Sequence, residues 1–262
     1  MRKAQNVAPT EEVRNGVDYN EYDMSFLEKV MYAVMAGAVL FFVGYVFYQH
    51  MVISGILALG GLFYPKMQRK KIIEKRKNTL TLQFKDMLYS LSSAVGAGNS
   101  VESALSVTLN DMRQQYNDPN AFIIKELELM VARVNMNRTI EEVFNDFAER
   151  SHIEDIQTFA SIFEIAKRTG GNLIEIIRST TTIISDKIET QTEIVTLLSG
   201  QQAEQKVVMI MPIALVLFMT KTSGTFMDPI FTTLAGRFIA TGCLAVILVG
   251  SIWAKKIADI KI

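Results

Sequence analysis

The sequence predicts an all-α chain that crosses a membrane with four helices and carries one cytoplasmic antiparallel helical bundle between two transmembrane hairpins. Three observations predict it. Charged residues make up 21% of the 262, below the ~25% of ordinary soluble domains, and the deficit is concentrated in long uncharged stretches. The charged stretches between them repeat apolar residues at helical spacing. No segment alternates with a period of two for long enough to make a half-buried strand.

Met1 to Glu28 is polar and mixed in charge, without the apolar core of a cleavable signal, and is read as a polar N-terminal tail, 1–28. Between Lys29 and Lys66 there is no Asp, Glu, Lys or Arg. As one helix at ~1.5 Å per residue that gap is about 54 Å long, too long for a hydrocarbon core of ~30 Å. A hairpin of two helices over 29–65 fits better, with its turn at Tyr48-Gln49-His50, the most polar point. The first span is placed at Val30 to Phe47 and the second at Met51 to Tyr64, where Gly55, Gly60 and Gly61 permit close packing.

Lys66, Arg69, Lys70, Lys71, Lys75, Arg76 and Lys77 then crowd one segment against a single acid, Glu74. They read as a basic flank that stops transfer and touches anionic lipid, with a specific ligand site as the alternative. Residues 66–206 form a helical domain. Leu80, Phe84, Met87, Leu88, Leu91 and Val95 share one face; Val101, Ala104, Leu105, Thr108 and Met112 another. Leu127, Met130, Val131 and Val134 repeat the pattern, as do Ile140, Val143, Phe144 and Phe147, then Ile153, Ile156, Phe159, Ala160, Phe163 and Ala166. Asn99 with Glu102, Thr139 with Glu142 and Ser151 with Glu154 have capping-box spacing. Gly96 and Gly98 end one helix, and Gly170-Gly171 another. A longer helix starts at Asn172 and runs to Ser199 or beyond. Its Leu173, Ile177, Thr180, Ile184, Gln191, Val195 and Leu198 approximate a heptad seam, read either as a long core helix or as a dimer seam.

The last region, 207–262, is a second hairpin with a short basic C-terminus. Val207 to Met219 makes one arm, with Pro212 tolerated inside it. Lys221 to Arg237 reads as a loop. Phe238 to Trp253 makes the fourth span, with Trp253 at the interface and Lys255, Lys256 and Lys261 beyond. The lysine and arginine bias puts the middle domain and both termini in the cytoplasm of a cell (inner) membrane.

Net charge is zero, so nothing draws the chain to nucleic acid. Cys243 is the single cysteine and lies in an apolar run. His50 and His152 are far apart, and neither has metal-ligand spacing. No phosphate loop follows Gly170-Gly171, and no HExxH occurs. Ser151, His152 and Glu154 invite a hydrolase reading, but their spacing fits a helix N-terminus better. Glu141-Glu142 and Glu154-Asp155 sit in first helical turns, where the helix dipole favours acids. No enzyme and no cofactor are expected. The spans hold no charged residue, which argues against a transporter. The expected turns are too small for the external sensor of a receptor or signalling module, the alternative function.

"SAVGAGNSVESAL" (Ser93 to Leu105) resembles the helix, glycine turn and "AL" helix of the type II secretion F domain. "FEIAKRTGGNLIEII" (Phe163 to Ile177) is similar to that family's second landmark. The hydropathy order is similar to that of the membrane platform proteins of the Tad (Flp) pilus machinery. The resemblance covers roughly residues 30 to 256. It implies a single F domain, since residues 80 to 135 do not recur at 139 to 200. It also implies a platform role, coupling a cytoplasmic hexameric secretion or pilus ATPase to assembly or export of pilin subunits. The partners implied are that cytoplasmic ATPase, pilin subunits, a sister platform subunit or a second copy, and the lipid bilayer. Gly96, Gly98, Ala104 and Leu105 match the first motif, and Gly170, Gly171 and Leu173 the second. Their role is either structural, at helix ends, or to shape turns that face a partner.

Overall fold

The computed structural model describes residues 16–222 and 227–258. Every regular element among them is helical. The chain divides into two compact units. One holds the described residues up to Asp23 together with Lys70–Glu189; the other holds Met24–Arg69 and the described residues from Thr190 onward.

The second of these begins with α1, Phe26–Tyr48. Ser25 and Glu28 close its N-terminus as a capping box, the Ser25 N–H donating to the Glu28 carboxylate at 3.0 Å. The helix stops at Gln49, whose φ of 46° is left-handed and whose N–H reaches the Tyr45 carbonyl. His50 is extended, and α2 starts at Met51–Ala58. Among the described residues α1 is the one helix long and apolar enough to cross a membrane, with a mean hydropathy of 2.2.

The expected second span, Met51 to Tyr64, is not one α-helix. After Ala58 the chain tightens into a 3₁₀ turn, Leu59–Phe63, at Gly60-Gly61, where glycine costs about 1 kcal/mol in an α-helix interior. That turn leads directly into α3, Tyr64–Gly96, which starts with Pro65 in its first turn, where a missing N–H costs nothing. The basic run is therefore helical.

The arms of this hairpin touch through glycine. A Cβ on Gly61 would stand 2.5 Å from the Gly37 nitrogen and 3.0 Å from the Ala33 carbonyl oxygen, both backbone atoms that cannot swing away. Gly61→Val is therefore expected to push the arms apart and to destabilise the purified chain by about 1–3 kcal/mol, the range for overpacking. Thermal unfolding in detergent reads the loss, and an unchanged transition would contradict this packing.

The other helices of this unit come from the C-terminal part. α8, Leu173–Thr222, enters it and contains Pro212. α9 is a short helix, Asp228–Thr232, and α10 is Leu234–Ala258. Most of the expected Lys221 to Arg237 loop is thus helical, apart from 223–226, which lie outside the described residues. Pro229 at the start of α9 has the φ a first turn needs, and Asp228 favours its N-terminal dipole. Gly236 lets α10 fold back on α9, since a Cβ there would come within 2.5 Å of the Ile230 Cα. The Tyr48 hydroxyl meets the Thr241 hydroxyl at 2.8 Å, joining α1 to α10. Val207–Thr222 and Ala235–Ile247 are apolar but shorter than α1.

The other unit is a bundle. To α3 from Lys70 onward it adds α4 (Val101–Tyr116), α5 (Phe122–Asn135), α6 (Ile140–Ser151), α7 (Glu154–Thr169) and the start of α8. Each helix turns one apolar face inward: Leu80, Phe84, Met87, Leu88 and Leu91 of α3 are wholly buried. Phe84, Phe144, Phe147, Phe159 and Phe163 form an aromatic centre with ring centroids 5.0 to 6.0 Å apart. Polar pins set the register of α3. The Gln83 side-chain oxygen accepts the Ile123 N–H at 3.1 Å, serving an otherwise orphan donor of α5. The Ser90 hydroxyl donates to Asp111 at 2.7 Å, and Tyr116 donates to Asp86. Burial, then the hydrogen bond from Tyr116 to Asp86, pushes the Tyr116 phenol well above its ordinary range.

Two caps differ from expectation. α4 is capped by Ser100, whose hydroxyl accepts the Ser103 N–H at 3.2 Å, while Asn99 turns back to the Ala94 carbonyl. Ser151 ends α6 instead of starting α7. Its buried hydroxyl donates to the Ala148 carbonyl and accepts the Ile153 N–H, and His152 takes the left-handed conformation between the helices. The Thr139 hydroxyl does cap α6, accepting the Glu142 N–H.

The first part of α8 is a core helix. Ile177 and Ile184 are buried, with Leu173, Ile174 and Ile188 packed against the core. Gln191 and Val195 are exposed, and the Leu198 side chain lies outside the described set. The tail expected over 1–28 needs a larger correction. Residues 1–15 lie outside the described residues, but Tyr19 is 1% exposed in the bundle core, and Phe26 to Glu28 belong to α1.

Candidate functional site

The bundle's two glycine turns lie at the C-terminal end of α3 and before α8. At the first, Gly98 has φ +92°, a conformation that strains any residue with a Cβ. At the second, Gly170 has φ +72°, and its N–H and that of Gly171 both donate to the Ala166 carbonyl. Gly96, Gly98, Gly170 and Gly171 are exposed. Ala104 and Leu105, drawn from the same motif, are wholly buried, so no partner reaches them. Leu173 packs half-buried against the core.

Between α3 and α8 lies an open groove of about 600 Å³. Tyr89, Ser92, Ser93 and Gly96 line it from α3, and Arg178, Thr181 and Thr182 from α8. Thr181 and Thr182 donate their hydroxyl protons back to the Ile177 and Arg178 carbonyls. No acidic side chain lines it.

A second polar constellation clasps the N-terminal segment. The Arg150 guanidinium donates twice to the buried Glu126 carboxylate, at 2.8 and 2.7 Å, once to Asp146 at 2.8 Å, and once to the Val17 carbonyl at 3.2 Å. The Tyr19 hydroxyl donates to Glu126 at 2.9 Å, and its ring meets Phe122 edge-on. Burial first, then the Glu126 charge, pushes the Tyr19 phenol far above its ordinary range. Burial alone would lower Arg150, but Glu126 and Asp146 outweigh it and hold the guanidinium charged. Composition and motif reading missed this clasp. The available signal is spacing: Glu126 falls three residues after Ile123, and Arg150 three after Phe147, both on otherwise apolar faces.

The basic run is divided by the same segment. Arg76 lies over the Tyr22 ring at 4.1 Å, and Lys77 donates to Asn20 at 2.9 Å. Lys66, Arg69, Lys70, Lys71 and Lys75 are exposed.

Elsewhere on the bundle Lys167 joins Glu141 at 3.0 Å and Glu102 at 3.5 Å. Burial would raise the Glu141 pKa, but its backbone hydrogen bond, Lys167 and Arg168 outweigh that and lower it. A depressed carboxylate stabilises the fold above its ordinary value of 4.5 and loses that contribution as pH falls through the lower, folded value. Glu141→Gln is thus expected to lower the melting temperature near neutrality, and the gap from the unsubstituted chain should close in acid. A gap constant with pH would exclude a charge effect.

Among the described residues no group of His, Cys, Asp and Glu could hold a metal ion. The Ser151 hydroxyl is occupied within its own turn, so it forms no nucleophile with His152. The surface is one of turns, a groove and ion pairs, suited to recognition.

The family model for Type II secretion system (T2SS), protein F, matches residues 87–220, more than half of the chain. The chain belongs to this family. No curated protein and no solved structure matches it. The protein F match begins within α3, at the wall of the groove, and ends in the apolar part of α8. It contains both glycine turns, the groove and the Glu126–Arg150 pair. The N-terminal segment and α1 precede it. Proteins of the protein F family are non-catalytic inner-membrane components of secretion and type IV pilus-type platforms.

Proposed function

We propose that this protein is the membrane platform subunit of a Tad-type pilus or a type II-like secretion machine, coupling a cytoplasmic ATPase to pilin assembly or export. The observation that carries the reading is the protein F match over residues 87–220, which falls on a helical bundle flanked by apolar helices. In this reading 29–65 and 207–262 are transmembrane hairpins, and 66–206 is the cytoplasmic domain. Sister or identical subunits complete the platform. Lys66, Arg69, Lys70, Lys71 and Lys75 meet anionic headgroups, each worth about 1 kcal/mol near such a surface.

The fold supports a first hairpin on topological grounds. Val17–Asp23 belongs to the same compact unit as Lys70–Glu189. In this reading the chain enters and leaves the Phe26–Phe63 hairpin from one side of the membrane, with an even number of crossings between them. The second arm is short as an α-helix, but its helical path continues through the 3₁₀ turn into α3, and Lys66 can extend its amine to the interface.

The test is a pair of reporter fusions active only in the cytoplasm, one after Asp118 and one after Ile262, with co-purification of the ATPase on the full-length chain. Activity from both fusions and retention of the ATPase are expected. An Asp118 fusion that reports the outside would separate the bundle from any cytosolic motor and end this reading.

A further inference from the structure

We infer that the groove between α3 and α8 is a docking site for an acidic side chain of a protein partner, with Arg178 and Tyr89 as its anchors. The bundle engages its other arginines: Arg113 with Glu128, Arg133 and Arg150 with Asp146, Arg138 with Glu142, Arg168 with Glu164, and Arg76 over the Tyr22 ring. The one at the groove differs. Arg178 is exposed, and its guanidinium has no acidic partner among the described residues. Glu175, one turn earlier, takes its side-chain hydrogen bond from Asn172 instead.

The lining matches a carboxylate in charge and in donors. Ser92 and Ser93 add hydroxyls on the opposite wall, while Thr181 and Thr182 already spend their protons on their own helix. Nothing acidic competes inside. Tyr89 is 73% exposed, although Leu88, Ser90 and Leu91 beside it on the helix are buried. Tyrosine and arginine are the side chains that most often carry interface energy, each offering a large contact area with a polar tip. The volume of about 600 Å³ exceeds what a single small anion fills, and the small side chains Ser92, Ser93 and Gly96 leave width for a peptide segment. The protein source of the carboxylate rests on the platform reading; the charge complementarity does not.

A photo-reactive benzoylphenylalanine placed at position 89 of the full-length chain, in cells with the machine intact, tests it. Cross-linking to a protein other than this chain is expected. Arg178→Glu should lower its yield about tenfold or more, as loss of a charged anchor does, whereas Arg178→Lys should largely retain it. Reversing the charge of the cross-linked partner's Asp or Glu should restore the yield with Arg178→Glu. Both Arg178 variants change an exposed, unpaired side chain, and an unchanged melting temperature verifies folding. Cross-links indifferent to Arg178→Glu, cross-links only to lipid or to a second copy, or none at all would overturn the inference. The fusion reporters and ATPase retention are read in the same strains, so the platform reading can stand when the groove does not.

Discussion

Glu126→Ala is expected to destabilise the chain by about 3–5 kcal/mol, the cost of removing one partner of a buried ion pair. Glu126 is 2% exposed, and its two carboxylate oxygens take three hydrogen bonds, from Arg150 twice and from Tyr19. Truncation takes two hydrogen bonds from the Arg150 guanidinium, leaving it Asp146 and the Val17 carbonyl, and removes the acceptor of the buried Tyr19 hydroxyl. Tyr19→Phe removes one bond to a charged acceptor and should cost about 1.5–3 kcal/mol. Replacing the pair together, as Glu126→Leu with Arg150→Met, should recover much of the Glu126→Ala loss, because apolar side chains of similar size avoid burying charge. Thermal unfolding of the detergent-purified full-length chain reads all three. A double variant no better than Glu126→Ala would show that the clasp depends on more than charge. The pH dependence has a definite sign. Tyr19 is raised above its ordinary 10.0, so its contribution is complete below that value and declines only as pH climbs past it. The clasp should hold across the neutral range.

Phe159→Ala should cost about 3–5 kcal/mol, the range for removing a large aromatic side chain from a core. Its ring is wholly buried and stands 5.6 Å from Phe84, 5.2 Å from Phe144 and 5.7 Å from Phe163. Three helices, α3, α6 and α7, meet there, so a cavity at this point loosens all of them. Phe159→Leu keeps most of the volume and should cost less than about 1.5 kcal/mol, as volume-conserving swaps do. At about 2–4 °C per kcal/mol for chains of this size, the two are separable in a melting experiment. Equal shifts would mean that the site collapses around either residue and that the aromatic contacts add nothing.

Periodicity alone was enough to place the bundle's inner faces, and the structure buries Leu80, Phe84, Met87, Leu88 and Leu91 together with Ile156, Phe159, Ala160 and Phe163. The all-helical class, the glycine helix ends and the turn at Tyr48-Gln49-His50 were also legible. Each depends on residues within a turn or two of one another, so the pattern is written locally. The caps were only partly legible, because Asn99 and Ser100 offer equivalent side chains and the first turn of α4 selects between them. Continuity through Leu59–Phe63 and Asp228–Thr232 was not legible, since Gly60-Gly61 and Pro229 are compatible with either a loop or a tight helical turn. The burial of Tyr19 against Glu126 and Arg150 lies beyond local pattern altogether. It joins residues more than a hundred positions apart, and a polar tail and a charged helix face look the same as solvated ones until packing removes the water. The groove at Arg178 is of that kind too. A lone arginine on an amphipathic helix is unremarked in sequence, and it acquires meaning when folding engages the bundle's other arginines with acids or, for Arg76, with the Tyr22 ring, sets Tyr89 across from it and places no acid between them.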